Sequence, residues 1–445
     1  MAYKHGVYTS EVATSMVAPI TGTAGLQVIV GTAPVNMLKD PAAAVNVPLL
    51  VSSYKEAVEA VGYLPDFANY TLCECISANF SVVGIAPMVL INVLDPAKHK
   101  IAITGGTVQV NDGVAVLEET GVLLEGLTVK SGSTTLTAGT DYTTTWNDDG
   151  TLNIVVLSTG AGKEATSLTV TGNKIDPSKV TAADIVGGVD SSTGKETGLE
   201  VVRQVYPKLS MTPGILLAPR FSKDATVAAA LQAKTKSINS VFGAVCVVDI
   251  DSSNTGATKY TAVKTTKEAQ AVSDPNAYAV WPFAKVGNTV YSGSALAAAL
   301  TAYTDAQNDD TPNVSPSNKT IAVSAACLED GTEVVLDQEQ ANTVNSFGVA
   351  TWLNMNGFRL WGNNTAAYPS TTDPKDRWLA VRRFFDWDGN NFILTYWQKV
   401  DKPGNKRLIQ SIVDSQNIIG NGYVARDYCA GYRVEFRSDE NPVTN

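Results

Sequence analysis

The sequence has few of the residues on which most catalytic and metal sites depend. Only two histidines occur in 445 residues, His5 and His99, and neither has a serine or cysteine nucleophile associated with it. The five cysteines are scattered, and an odd number does not suit a disulfide framework. Cys73 and Cys75 would lie on different faces of a helix, which prevents joint metal ligation. We therefore predict no catalytic, cofactor-binding or metal site.

Basic charge and long apolar runs are also scarce. The chain has 33 Lys and Arg against 43 Asp and Glu, a net charge of −10. A nucleic-acid-binding protein needs a basic face, so this balance argues against nucleic acid as a partner. No apolar run approaches the length of a membrane span, and the stretch Met1–His5 has no apolar signal core. We expect no membrane insertion, and assembly in the cytoplasm.

The length and the shifts in composition predict several domains. The pattern favours an α/β and β multidomain fold. A discontinuous α/β core from both chain ends would carry an inserted small β-sandwich or barrel and an inserted α/β domain of βαβ pattern. The predicted boundaries are residues 1–20 for an N-terminal extended arm, 21–95 plus 333–445 for the core, 96–183 for the inserted β domain, 184–198 for a linker and 199–332 for the inserted α/β domain.

The pattern of the first 95 residues predicts an α/β layer that lacks some of the strands and helices it needs. Leu26–Val30 and Met88–Val93 are apolar strand candidates. Ser53–Glu56 has the pattern of a capping box before apolar residues at helical spacing, and Tyr70–Val83 predicts a second helix. The missing strands and helices are expected from the C-terminal region.

Beyond Pro96 the composition turns to Thr, Val and Gly, and helical periodicity disappears. Asp149–Gly150 marks a hairpin turn in this region. Five short strands are predicted here: Thr107–Val110, Leu127–Lys130, Tyr142–Trp146, Leu152–Leu157 and Leu168–Thr171.

The Gly-, Ser- and Asp-rich residues 184–198 predict a linker. Gly188–Thr197 is similar to a phosphate-binding loop, but its spacing is one residue too long. Glu196 also occupies the place of the Mg²⁺-binding hydroxyl residue, so a flexible linker is the better interpretation. Gly214–Pro219, an Ala-rich helix and Ala244–Ile250 then form a βαβ pattern.

The C-terminal region contains the clearest local signals. Two apolar runs, Val349–Leu353 and Phe358–Gly362, flank an Asn-Gly pair, which predicts a hairpin. Asp337–Gln340 can cap a helix before it. We predict that Val381–Phe384 is a strand whose arginines Arg382 and Arg383 point to opposite sides, one toward an internal carboxylate and the other toward a neighbour.

This order of helix, hairpin and paired arginines resembles the C-terminal core of contractile phage tail sheath proteins, which are related to the sheaths of R-type bacteriocins. The residues that carry the likeness are Trp361, Gly362 and Thr365, which match the Trp-Gly-x-x-Thr pattern of that family, together with Arg382 and Arg383. Asn363–Asn364 departs from the Ala-Arg that many sheaths have between them.

The N-terminus carries a second part of the resemblance. His5–Tyr8, Pro19–Thr23 and Leu26–Gly31 are similar to the sheath N-terminus, where an extended arm runs into the first core strand. From the residues alone, a frayed terminus and an arm that adds a strand to a neighbour are both open, and the resemblance favours the arm. The residues proposed for subunit–subunit contact are Tyr3, His5, Gly6, Val7, Tyr8 and Thr9.

The resemblance implies a structural protein and not an enzyme. Its subunits would form a helical homopolymer of stacked hexameric rings around a tail tube, and contraction would drive the tube through a target cell envelope. The implied partners are copies of itself, the tail tube protein, and the baseplate and tail terminator proteins. The implied location is the virion tail or a bacteriocin particle, assembled in the host cytoplasm.

Two alternatives stay open at this point. Sheath chains usually continue past an Asn-Pro such as Asn441–Pro442, whereas this chain ends at Asn445, so it is either naturally short or trimmed. The second open point is the function. The alternative to a sheath subunit is an enzyme or small-molecule-binding protein that uses the central βαβ unit near residues 214–250.

Overall fold

A computed structural model describes residues 24–103, 106–401, 406–437 and 439–440 of the chain. The predicted arm at residues 1–20, with its six proposed contact residues, lies outside the described residues. The described part has a mixed α/β fold with several sheets. Among its helices, none is both long and apolar enough to cross a membrane.

The N-terminal part contains the predicted strands and helices. Its elements are β1 (Gln27–Gly31), β2 (Leu49–Val51), α1 (Tyr54–Val61), α2 (Thr71–Ile76), which continues as a π-helix over Ser77–Val83, and β3 (Met88–Asn92). The helix α1 begins because the Ser53 hydroxyl accepts a hydrogen bond from the Glu56 amide, and it ends at Gly62, where φ is 77°. All residues of β1 and β3 are buried, as expected for strands covered on both faces.

The Thr- and Val-rich region is almost entirely β. Its elements are β4 (Lys100–Ala102), β5 (Gly106–Asn111), β6 (Val114–Leu117), β7 (Thr128–Ser131), β8 (Thr134–Leu136), β9 (Tyr142–Trp146), β10 (Leu152–Val156), β11 (Ser167–Thr171), β12 (Asn173–Ile175), α3 (Ala182–Val186), β13 (Gly188–Val189) and β14 (Glu196–Thr197). Seven of these strands form one sheet in the order β8-β7-β11-β5-β6-β10-β9. Alternate residues such as Leu152 and Ile154 point into a core of its own.

The remaining chain alternates strands and helices. Its elements are α4 (Val205–Leu209), β15 (Ile215–Leu217), α5 (Ala225–Thr235), β16 (Val245–Asp249), α6 (Val263–Ala269), β17 (Ala277–Val280), β18 (Phe283–Val286), β19 (Thr289–Tyr291), α7 (Gly293–Ala306), β20 (Ala325–Cys327), α8 (Gln338–Ser346), β21 (Val349–Asn354), β22 (Phe358–Trp361), α9 (Pro374–Arg377), α10 (Leu379–Tyr396) and α11 (Lys406–Ala425). The predicted capping box of α8 is confirmed, because Asp337 and Gln340 exchange hydrogen bonds. The predicted hairpin is confirmed too, with Asn356 and Gly357 at positive φ in its turn.

One sheet joins the two ends of the chain through the middle. Eight of the described strands form it in the order β2-β3-β1-β15-β16-β17-β21-β22, and the run from β3 to β21 is parallel. The prediction of a separate α/β domain at residues 199–332 is therefore wrong. Its strands β15, β16 and β17 lie between β1 and β21 in the main sheet. All residues of these three strands are buried, and at this position each strand is paired along both of its edges.

The predicted linker at residues 184–198 is also wrong, because this stretch is ordered. It contains the end of α3 and the hairpin of β13 and β14. Glu196, which a flexible linker would expose, is buried and accepts a hydrogen bond from Gln204 Nε2 at 2.7 Å. Asp190 stabilises the hairpin turn by accepting hydrogen bonds from the Ser192 and Thr193 amides.

The predicted strand at Val381–Phe384 is wrong as well. These residues lie in the helix α10, so Arg382 and Arg383 are neighbours on a helical surface and not on opposite faces of a strand. The aromatic side chains of α10, among them Phe384 and Trp387, pack with Tyr423 of α11. That contact stabilises a helix whose residues have β-strand preferences.

Candidate functional site

The predicted C-terminal motif folds into a tight loop after the hairpin. Gly362 has a φ of 137°, and a Cβ atom there would lie 2.9 Å from the Ala350 Cα, so the position requires glycine. Its amide donates to Ser317 Oγ at 3.0 Å, and its carbonyl accepts from the Tyr278 hydroxyl at 2.6 Å. Gly362 therefore joins the hairpin to β17 and to the segment near Ser317.

Trp361 and Thr365 fix the two ends of this loop. The Trp361 indole donates to Asn342 Oδ1 of α8 at 3.1 Å. Thr365 is buried, and its hydroxyl donates to the Asp376 carbonyl at 2.5 Å while its amide donates to the Arg377 carbonyl at 2.7 Å. The three motif residues thus have structural roles in this subunit, which hold α8, the hairpin and α9 together.

Lys267 supports the same loop, and sequence reasoning missed it. Its buried ammonium donates to the carbonyls of Phe347 and Ala366, each at 2.6 Å, and of Tyr368 at 3.2 Å. Burial lowers the pKa of Lys267 to about 8, and the nearby Glu268 carboxylate opposes this. No local pattern around this lysine distinguishes it from Lys264, the exposed lysine of the same helix.

Arg383 and Arg382 both pair with carboxylates inside the subunit. Arg383 is buried and holds the buried Asp305 of α7 with two nitrogens, one of them 2.8 Å from Oδ1, and it also donates to the Ala24 carbonyl at 2.9 Å. Burial raises the pKa of Asp305, and the Arg383 guanidinium opposes that shift. Arg382 donates to Asp386 Oδ1 at 2.9 Å.

The face of α10 that meets the sheet is polar in its middle. Asp386 accepts from Asn276 Nδ2 at 2.7 Å, and Asn390 exchanges hydrogen bonds with the backbone of Gly243 at 2.9 and 2.8 Å. Burial raises the pKa of Asp386 to about 6, although Arg382 lowers it. Arg383, Asp386 and Asn390 follow helical spacing, which is a signal that the sequence contained.

The carboxyl ends of β1 and β15 form the position where open α/β sheets usually bind ligands, because the chain order reverses there. In this chain the position is filled by the protein itself. Arg220 donates to both oxygens of the buried Glu74, each at 3.1 Å. The Ser292 amide donates to Glu74 Oε1 at 2.5 Å.

Asp249 completes this cluster at the end of β16. Its carboxylate accepts from the Ser294 amide at 2.7 Å and from the hydroxyls of Ser294 and Ser222 at 2.6 and 3.2 Å. Burial raises the pKa of Asp249, and these hydrogen bonds oppose the shift. The carboxylates of Glu74 and Asp249 are therefore both held by donors of the protein itself at this end of the sheet.

The cysteines and histidine of the described part are not arranged for chemistry. Burial raises the pKa values of the thiols of Cys73, Cys75 and Cys246, which disfavours the reactive thiolate. His99 Nδ1 accepts from the Asp95 amide at 2.9 Å. Within the described residues, no group of three or more His, Cys, Asp or Glu side chains could hold a metal ion.

Comparison with curated proteins identifies two relatives. A tail sheath protein of Burkholderia phage BcepMu is 29% identical over 459 residues, covering 99% of this chain and 90% of the relative. A prophage major tail sheath protein from Pseudomonas aeruginosa is 30% identical over 207 residues, which are 45% of this chain and 49% of that protein. No family model matches the chain. Because these relatives are structural sheath proteins, the prediction of a structural, non-enzymatic protein is confirmed.

Solved structures show the same fold. A chain of the anti-feeding prophage baseplate, from a six-fold symmetrised cryo-EM structure, matches 99% of this chain and 87% of its own length with a TM-score of 0.53 and 15% identity. The contracted sheath of an extracellular contractile injection system matches 98% of this chain and 85% of its own length, with a TM-score of 0.53 and 12% identity. A sheath tail protein from Listeria innocua matches 93% and 88%, with a TM-score of 0.50 and 12% identity.

Proposed function

The chain belongs to the family of contractile tail sheath proteins, and from this we propose that it polymerises as stacked hexameric rings around a tail tube. Contraction of this helical polymer would drive the tube through a target cell envelope. Its partners would be further copies of itself, the tube protein, and the baseplate and terminator proteins of the tail. Assembly would take place in the host cytoplasm.

The observation that supports this proposal best is that both ends of the chain belong to one body. The strands β1 and β21 share a sheet, and Arg383 of the C-terminal part donates to the Ala24 carbonyl at 2.9 Å. A sheath subunit has to move as a unit while it stays connected to its neighbours. A single body with an extended segment leaving it meets both requirements, since strands donated between sheets keep their hydrogen bonds during rotation.

We propose residues 1–20 as that segment, with subunit contacts made by Tyr3, His5, Gly6, Val7, Tyr8 and Thr9. We propose residues 96–183 as an inserted β domain, because its seven-stranded sheet has a core separate from the main one.

Deletion of residues 1–14 tests the arm. We expect a folded, soluble protein that forms no long tubes in negative-stain electron microscopy, whereas the full chain forms them under the same conditions. Replacement of residues 1–14 by a Gly/Ser segment of the same length is the control for shortening the chain, and it should also form no long tubes. Tubes of normal length from the 1–14 deletion would show that the arm is not needed for polymerisation.

A further inference from the structure

The chain is held tightly just before β1. The Ala24 carbonyl accepts a hydrogen bond from Arg383 Nη2 at 2.9 Å. At Gly25, an added Cβ atom would lie 3.3 Å from the Ala302 Cα and 3.4 Å from Asp305 Oδ2. Residues 24–25 therefore lie between the last turns of α7 and the first turns of α10. We call Ala24, Gly25, Ala302, Asp305 and Arg383 the N-terminal clamp.

The clamp contains a buried ion pair, and loss of either charged side chain would lower the stability of the protein. Arg383 is 4% exposed and Asp305 is 1% exposed. The guanidinium meets both carboxylate oxygens, which is the strongest geometry for such a pair. Removing either partner leaves an uncompensated charge in the interior, which is strongly destabilising. The pair therefore keeps α7 and α10 together as long as both charges are present.

Ala24 and Gly25 of the clamp precede the first residue of β1 in the chain. The first ladder contacts of this segment are made by Leu26, whose carbonyl accepts from the amides of Gly214 and Ile215 at 3.0 Å. A displacement of the residues before Ala24 reaches the Arg383 hydrogen bond before it reaches these ladder bonds. Among the described residues, the first hydrogen bond of this segment is therefore the one to Arg383 of α10, on the C-terminal part of the chain.

We propose that the N-terminal clamp couples the segment preceding β1 to the helix α10, so that loosening one end of the chain loosens the other. The coupling runs from the Ala24 carbonyl through Arg383 to Asp305, and Gly25 allows the close approach that it needs. The coupling acts within a single subunit and does not depend on polymerisation.

Hydrogen exchange measured by mass spectrometry on the full chain tests the coupling. The variants are Arg383→Gln, Asp305→Asn and the double variant, with Lys234→Gln as the control. Lys234 also pairs with a carboxylate, that of Glu200, at 2.7 Å, and Glu200 is not a residue of the clamp.

We expect Arg383→Gln to lower the protection of residues 24–26 and 379–396 together, on the order of a hundredfold. Protection of α1 should stay unchanged. The double variant should lose less than the sum of the single variants, because the two residues act as one pair. Lys234→Gln should change neither region.

A second variant keeps the test informative if Arg383→Gln does not fold. Gly25→Val leaves both charges in place and pushes α7 away from the chain. We expect it to lower protection in 379–396 as well as in 24–26. Loss of protection confined to residues 24–31, or an equal loss throughout the sheet, would overturn the coupling for either variant.

Discussion

The substitution Lys267→Met tests whether the loop of the Trp-Gly-x-x-Thr motif depends on one buried ammonium group. The substitution keeps the length of the aliphatic chain and removes the donor to three carbonyls, those of Phe347, Ala366 and Tyr368. A hydrogen bond from a charged donor contributes about 1.5–3 kcal/mol, so the three together contribute roughly 4–9 kcal/mol. Their loss should destabilise the C-terminal hairpin.

An opposing effect reduces this loss. Burial lowers the pKa of Lys267 from 10.5 to about 8, and this shift corresponds to a cost of about 3 kcal/mol for a charged lysine at neutral pH. Methionine avoids that cost. We therefore expect Lys267→Met to lower the free energy of unfolding by about 1–6 kcal/mol at pH 7, because the lost hydrogen bonds outweigh the recovered desolvation.

The measurement is urea unfolding followed by tryptophan fluorescence, with Lys264→Met as the matched control. Lys264 lies on the same helix, and its side chain is 57% exposed and near Glu268 at 4.0 Å, so its replacement should change stability by less than about 0.5 kcal/mol. Equal effects of the two substitutions would refute the role given to the buried ammonium.

The pH dependence of the free energy of unfolding provides a second test on the wild type and Lys267→Met. The folded pKa of Lys267 lies below the unfolded one, so the unfolded state binds more protons between about pH 8 and 10.5. The stability advantage of the wild type over Lys267→Met should therefore grow as the pH rises through this window. A constant difference would mean that the carbonyls keep the pKa of Lys267 at its ordinary value.

Two further substitutions test the motif and the helix α10. Gly362→Ala should lower the free energy of unfolding by about 1–3 kcal/mol, because φ is 137° and the new Cβ would lie 2.9 Å from the Ala350 Cα. The control is Gly422→Ala inside α11, which meets only open space near a flexible arginine and should be neutral or stabilising. Equal thermal unfolding midpoints for the two variants would contradict this expectation. Asp386→Asn should remove a pH dependence of the free energy of unfolding. Burial raises the pKa of Asp386 from 3.8 to about 6, so the folded state binds more protons than the unfolded state in this range. The wild type should therefore lose about 3 kcal/mol of stability relative to the variant as the pH rises from 4 to 7. Parallel stability curves for the two proteins would contradict that expectation.

The elements with local signals could be predicted from the sequence. The hairpin of β21 and β22 has an Asn-Gly turn between two apolar runs, and the cap of α8 lies within four residues. Such signals depend on φ preferences and on hydrogen bonds between near neighbours, which do not require the rest of the fold. The strands β9, β10 and β11 were predictable for the same reason.

The helix α10 could not be recognised from its apolar residues because its pattern is inverted. Polar residues at helical spacing, Arg383, Asp386 and Asn390, face the sheet, while Phe384 and Trp387 face α11. A search for apolar residues toward the core therefore finds no helix there. Reading the polar residues for periodicity would have found it.

The contacts that hold the candidate site together depend on the completed fold. Lys267 reaches carbonyls 80 to 101 residues away, and Arg383 reaches Ala24 across 359 residues. Backbone carbonyls occur at every residue, so no sequence pattern can indicate which of them a buried lysine or arginine will meet. Only the arrangement of the strands brings them together.

The arrangement of the main sheet also changes the relation between the chain ends and the middle. The strands β1 and β21 are not neighbours, because β15, β16 and β17 lie between them. The strands from the middle of the chain therefore connect the two ends. The strands of the two ends do not form a complete sheet without them. The Arg383–Ala24 hydrogen bond adds a direct connection at one edge of this body. A subunit organised in this way can transmit a displacement from Ala24, just before β1, to its C-terminal helices through the sheet and through that contact together.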